Sequence, residues 1–185
     1  MKAIVYMSET GFTEKYAKLL AEKVQLPAYS VKEAGKTLPR ACEVFYMGWL
    51  RAGSVKGLDS AMDRYTIRGA AIVGMSPDGN GDLWIEAKIN GGISDGGARI
   101  FYLQGGYAPE KLRGMNRLLM RFMTKFVVKK LQAKGDTATE QDLKMLEMYQ
   151  KGGDCVREEA LEEIVRWFAE GSHEGVLKPV PTVEI

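Results

Sequence analysis

The chain is poor in the residues that build most metal, disulfide and nucleophile sites. It holds one histidine, His173, and two cysteines, Cys42 and Cys155, in 185 residues. The cysteines lie far apart and form no C-x-x-C pair, which argues against a disulfide framework and against a zinc site. His173 stands in a Gly-Ser-His-Glu-Gly stretch and reads as a solvated loop residue. A Ser/His or Cys/His nucleophile system is therefore not expected. No apolar run reaches the roughly 18 residues of a membrane-spanning helix. Met1-Lys2 leads straight into an apolar run, without the basic and apolar regions of a signal peptide, so cytoplasmic residence is expected. There is no G-x-G-x-x-G and no Gly-Lys-Ser/Thr, which removes the dinucleotide and Walker phosphate loops. Internal repeats and low-complexity tracts are absent too.

What remains suits one α/β domain spanning residues 1–185. A hydrophobic fraction of 45% is enough for an ordinary core. The formal net charge is +2, but it is unevenly spread. Eight of the 26 basic residues and one of the 24 acids lie between Pro109 and Lys134, leaving that segment net +7 and the rest net −5. A mildly acidic body thus carries one strongly basic segment, which suggests a surface that meets anions. The acidic remainder and the lack of a recognition motif argue against nucleic acid.

The apolar pattern predicts a strand at 3–7, a helix at 12–24 and a strand at 28–31, then a polar stretch at 32–40 with one helical turn. A strand at 43–48 breaks into a loop at 49–56. A helix at 58–67 follows, with Leu58, Met62 and Tyr65 at helical spacing, and then a strand at 70–75. Turn residues fill 76–81, Asp82 caps a helix running to about residue 90, and 99–103 is the fifth strand. Alternating strands and helices call for a parallel sheet with right-handed crossovers, in the order 2-1-3-4-5 with helices on both faces. Ligands of such a sheet bind at the carboxyl ends, at the switch point between strands one and three.

A helical insertion at about 109–150 follows strand five. Met115, Leu118, Leu119, Phe122, Met123, Phe126 and Val127 form one stripe there, with Arg117, Arg121 and Lys125 mostly opposite. The stripe reads first as core or as a homodimer interface. With its cations, the helix 111–134 also suits peripheral contact with an anionic membrane. Thr139 caps a second helix carrying Leu143, Leu146 and Met148. Asp154 opens a final helix to residue 170, and a Pro- and Gly-rich tail, 171–185, lies extended on the surface.

The stretch that organises the chain is Ser8-Glu9-Thr10-Gly11-Phe12-Thr13, between the first strand and the first helix. Unpaired N–H groups and the positive end of the helix dipole converge there. Ser8, Thr10 and Thr13 add hydroxyl donors, and Gly11 lets the backbone turn close to an anion. A helix cap alone needs fewer hydroxyls than this.

The pattern Ser-x-Thr-Gly-x-Thr after the first strand resembles the FMN phosphate loop of flavodoxins. The three loops and the strand pattern resemble the flavodoxin superfamily over about the first hundred residues. Leu50-Arg51-Ala52-Gly53, and the run Met115 to Met123, are similar to features of bacterial quinone-linked, flavodoxin-like protoporphyrinogen oxidases. The resemblance implies a flavodoxin-like α/β fold and FMN as cofactor. It implies cofactor contacts from Ser8, Glu9, Thr10, Gly11, Phe12, Thr13, Trp49, Leu50, Arg51, Ala52, Gly53, Ser76, Pro77, Asp78 and Gly79.

Within that set, Trp49 is placed to stack on the flavin ring or, as plainly, to pack under its own loop. Arg51 is placed to meet the electron-rich side of a reduced flavin or a substrate carboxylate. Gly53 would let a backbone group turn towards flavin N5. Ser76 to Gly79 would line the ring's edge, or form only a surface turn. Arg51 and Lys56 depart from the acidic loops of short flavodoxins and should ease reduction of the ring. The loop after Ser76 is shorter than in the oxidase group.

The expected function is an FMN-binding flavodoxin-like flavoprotein in electron transfer, or an oxidoreductase. Its partners would be a redox protein or a small quinone or tetrapyrrole. The alternatives are a quinone-linked protoporphyrinogen oxidase-like enzyme, or a flavodoxin-fold membrane-surface protein with a vestigial flavin site. The last would sit at the inner face of a membrane.

Overall fold

Apolar side chains occupy consecutive positions along the central strands, so each strand must be covered on both faces. The computed structural model describes residues 1–51, 54–76, 93–94, 96–171 and 173–179, and it has that arrangement. Five parallel strands, β1 (Ala3–Met7), β2 (Ala28–Ser30), β3 (Glu43–Arg51), β4 (Thr66–Gly74) and β5 (Arg99–Gln104), lie in the order β2-β1-β3-β4-β5. This is the α/β, flavodoxin-like sheet, with one two-residue strand, Ser54–Val55, hanging antiparallel off the end of β3.

Alternate residues of each strand feed two cores. Ile4, Phe45, Met47, Ala71, Val73, Phe101 and Leu103 face helix α1 (Phe12–Val24) and the last helix, α6 (Glu162–Glu170). Val5, Val44, Tyr46, Ile67, Ala70 and Ile72 face the side of α2 (Val31–Thr37) and α3 (Leu58–Met62), where Ala34, Leu58 and Ala61 are buried. On the first face the rings of Phe45, Phe101 and Trp167 meet at centroid distances of 5.6–6.2 Å. Glycine at position 69 is what admits Trp167, because a Cβ there would lie 2.7 Å from the indole.

Several elements differ from the sequence expectation. Residues 32–40 contain a real helix, α2, started by a capping box between Ser30 and Glu33. The helix expected over 58–67 stops at Met62, and the β-branched pair Thr66-Ile67 already belongs to β4. β3 runs three residues further than expected, because Leu50 and Arg51 pair with Val55 and Ser54. The final helix begins at Glu162, after a 3-10 turn (Glu159–Leu161), and not at Asp154. Asp154 instead takes an ion pair from Lys15 at 2.7 Å, accepts a hydrogen bond from the Val156 N–H at 2.9 Å, and pairs with Gly106. The helix expected from Asp82 lies outside the described residues.

After strand five the chain leaves the sheet as α4 (Gly114–Gln132) and α5 (Glu140–Lys151). Thr139 caps α5 in a reciprocal box with Asp142. Lys134 holds the Asp142 carboxylate at 2.7 Å, and that contact, with Thr139, lowers its pKa to about 2.

Of the expected surface tail, residues 173–179 are instead docked on the body, and residues 172 and 180–185 lie outside the described residues. The Leu177 N–H donates to the Ile67 carbonyl at 2.9 Å, its side chain is buried in the second core, and Lys178–Pro179 pairs with Ile93–Ser94. His173 is likewise half-buried and not a free loop residue. Its ring lies 3.9 Å from that of Trp167, and Nδ1 is buried with no hydrogen-bond partner among the described residues.

Leu177→Ala should cost about 2–4 kcal/mol in urea unfolding, as a buried leucine does, while Lys178→Ala should cost almost nothing. Equal, negligible effects would show that the segment is not part of the core. Burial, aided by the N-terminal ammonium, pushes the His173 pKa below 6.5. The folded state therefore prefers the neutral ring. Its contribution to stability is complete above pH 6.5 and declines as pH falls through and below that value. His173→Phe keeps a ring on Trp167 and should flatten the stability profile on that acid limb. An unchanged slope would count against the burial argument.

Candidate functional site

The first turn of α1 is built to leave donors unused. β1 ends at Met7, and the Ser8 Oγ accepts a hydrogen bond from the Gly11 N–H at 3.1 Å. Gly11 turns the chain at φ +97°, a conformation that strains any residue with a Cβ. Gly11 is the N-cap, so no side chain caps the helix. The first-turn N–H groups are thus left for another acceptor, at the positive end of the helix. A Cβ built on Gly11 would meet nothing within 4 Å, so open space lies above the turn. Thr10 is half-buried, and Thr13 is 2% exposed. Two carboxylates stand near the turn: both Glu9 oxygens accept from the Asn116 side-chain amide of α4, at 2.7 and 2.8 Å, and Glu14, in the first turn of α1, pairs with Lys18 at 2.6 Å.

Beside this turn lies a cleft of about 190 Å³ at the carboxyl ends of the strands. Its lining brings together Glu9, Thr10, Phe12 and Thr13 from the first turn with Trp49, Leu50 and Arg51 from the end of β3. These are seven of the residues that the sequence singles out. Ser8 and Gly11 shape the turn without lining the cleft. Trp49 to Arg51 are held as strand and not as loop: the Lys56 N–H donates to the Trp49 carbonyl at 3.0 Å, and the Ser54 hydroxyl donates to the Arg51 carbonyl at 3.0 Å. Arg51 has no carboxylate partner among the described residues. Ser76 is outside the lining, its carbonyl accepting from the Tyr102 hydroxyl at 3.0 Å. Ala52, Gly53, Pro77, Asp78 and Gly79 lie outside the described residues.

Sequence reasoning missed two parts of the wall. The first is the turn after β5. Gly105 and Gly106 sit at the cleft because larger residues cannot: a Cβ on Gly105 would lie 2.7 Å from Val73, and one on Gly106 would strike the Gly153 carbonyl and the Phe12 ring. The Gly105 N–H donates to the Gly74 carbonyl, and its own carbonyl accepts from the Cys155 N–H, both at 2.7 Å. Tyr16 braces the same spot, donating its hydroxyl to the Gln104 carbonyl at 2.8 Å. The glycine pair directly after a strand was the available signal.

The second missed part is the roof. Leu112, Asn116, Leu119, Met120 and Met123 reach over the cleft from α4 and the turn before it, and Tyr149 from α5. The Tyr107 hydroxyl bonds the Thr124 hydroxyl at 2.5 Å, and its ring lies 5.3 Å from Tyr149, fastening both helices to the body. Burial raises the Tyr149 pKa, so its phenol stays neutral at ordinary pH. The stripe of α4 therefore divides. Leu119 and Met123 line the cleft at 38% and 44% exposure, while Met115, Leu118, Phe122 and Phe126 do not line it and are far more exposed, which corrects the reading of the stripe as core.

Mostly apolar walls with one arginine and one set of free backbone donors suit a flat organic group that carries an anion. No protein-family model matches the chain, and no curated protein matches it.

Proposed function

We propose that the chain binds FMN and acts as a flavodoxin-like redox protein, an oxidoreductase or electron carrier. The observation that carries this reading is the uncapped first turn of α1 opening beside an apolar cleft at the switch point of the sheet. The resemblance of Ser8-Glu9-Thr10-Gly11-Phe12-Thr13 to the flavodoxin phosphate loop supports it.

The residues present fit such a group. A phosphate monoester needs donors and no competing carboxylate. The turn offers backbone N–H groups and the Thr10 and Thr13 hydroxyls, Asn116 occupies the Glu9 oxygens, and Lys18 pairs with Glu14. Space above Gly11 is open. When bound, FMN supplies the transfer of one or two electrons through its ring. The protein's own contribution is placement and field. Thr10 and Thr13 hold the phosphate end. Trp49 and Leu50 give the ring an apolar wall, and Leu119, Met120, Met123 and Tyr149 give it an apolar cover from above. Arg51, with no carboxylate partner among the described residues, favours the more negative form of whatever occupies the cleft. The apolar roof favours an enzyme over a plain carrier, because it suits a small apolar donor or acceptor such as a quinone or reduced tetrapyrrole.

Titration of flavin fluorescence tests the reading. The wild-type protein should quench FMN, and the pair Thr10→Val, Thr13→Val should bind FMN at least about tenfold more weakly, since hydrogen bonds to a charged group are lost without a change of shape. Riboflavin, which lacks the phosphate, should be affected much less. Equal losses for both ligands would place the two threonines elsewhere than at the phosphate.

A further inference from the structure

The outward face of α4 has no use in the cleft. Met115, Leu118, Phe122 and Phe126 are 65–76% exposed, and their spacing of three and four residues sets them in one ridge along the helix. The ridge is about 16 Å long at the rise of an α-helix. α4 contains no aspartate or glutamate, and its five cations, Arg117, Arg121, Lys125, Lys129 and Lys130, are exposed and without a carboxylate partner among the described residues. Arg121, Lys125 and Lys129 border the ridge on one side. Elsewhere the surface cations are commonly paired, as Lys15 is with Asp154, Lys23 with Glu158 and Arg99 with Glu163.

We infer that this face of α4 docks on an anionic lipid surface. Large apolar side chains can enter the acyl boundary while lysine and arginine on the flank reach headgroup phosphates. Charge decides between occupants. A second copy meeting the same face would set two rows of unpaired cations against each other, since a two-fold contact pairs each patch with itself. A nucleic acid would satisfy the cations and leave the Phe122 and Phe126 rings in water. An anionic bilayer satisfies both. Among the described residues no helix is long and apolar enough to cross a membrane, so α4 lies on the surface and does not insert through it. The other side of the same helix roofs the cleft, which places the cleft beside the lipid. The docking itself does not depend on what the cleft binds.

Co-sedimentation with vesicles tests this. The protein should bind vesicles of phosphatidylcholine mixed with phosphatidylglycerol, should not bind phosphatidylcholine alone, and should be released by salt. Phe122→Glu with Phe126→Glu, at exposed sites outside the cleft, should weaken binding at least about tenfold while the circular dichroism spectrum is kept. Arg121→Gln with Lys125→Gln should also weaken it, through charge alone. Equal binding to neutral and anionic vesicles, or no effect of the second pair, would overturn the inference. So would a dimer, seen by light scattering, that the phenylalanine pair dissolves while the wild type ignores vesicles.

Discussion

The reversal of the chain at Gly11 sets the geometry on which the cleft depends. β1 is held between β2 and β3 by parallel pairing, so its carboxyl end cannot shift. From there the chain must enter α1 within a few residues. It does so by a positive φ that only glycine takes without strain, with the Ser8 hydroxyl tying the turn. Because the cap is a glycine, the helix start keeps its N–H donors free of a side-chain cap. A side-chain cap would stabilise α1 by about 1 kcal/mol and fill the place of an incoming anion. The local loss is offset by burial, since Tyr16, Ala17 and Leu20 of α1 have no exposed surface.

The rest of the site is arranged around that turn by contacts that are distant in sequence. Gly105 and Gly106 bring the end of β5 against Phe12, and the strand-like pairing of Gly106 and Tyr107 with Asp154 and Gly153 draws the segment after α5 under the cleft. Lys15, in the first turns of α1, reaches Asp154 of the same segment. The roof then hangs from Tyr107, through Thr124 on α4 and Tyr149 on α5. One helical insertion therefore does two jobs. Its inner side lines the cleft, and its outer side presents the apolar ridge and the cations that have no carboxylate partner among the described residues.

Much of this was legible in the sequence where local and global preferences agree. The strands at 3–7 and 99–103, the helix at 12–24 and the strand order follow from apolar pattern and from the chirality of crossovers. The turn at Ser8 to Thr13 was legible because its chemistry exceeds what a cap requires. Tertiary pairing hid the rest. Trp49 to Arg51 read as loop because the hairpin with Ser54 and Val55 is set by two residues beyond a glycine. Asp154 read as a helix cap, but Lys15 and Gly106 claim it for the cleft. His173 and Leu177 stand among glycines and prolines, yet the edge of the core at Trp167 and Ile67 takes them in. Met115 to Val127 read as one stripe because periodicity shows that a helix has an apolar side and does not show what lies against it.

The central claim is that the first turn of α1 holds a phosphate and so positions a flavin over the ends of β1 and β3. A crystal structure determined with excess FMN tests it most directly. The account predicts phosphate density within hydrogen-bond distance of the Thr10 and Thr13 hydroxyls and of the first N–H groups of α1, with the ring in the cleft beside Trp49. A turn that stays empty in that crystal, or a phosphate bound elsewhere, would contradict it.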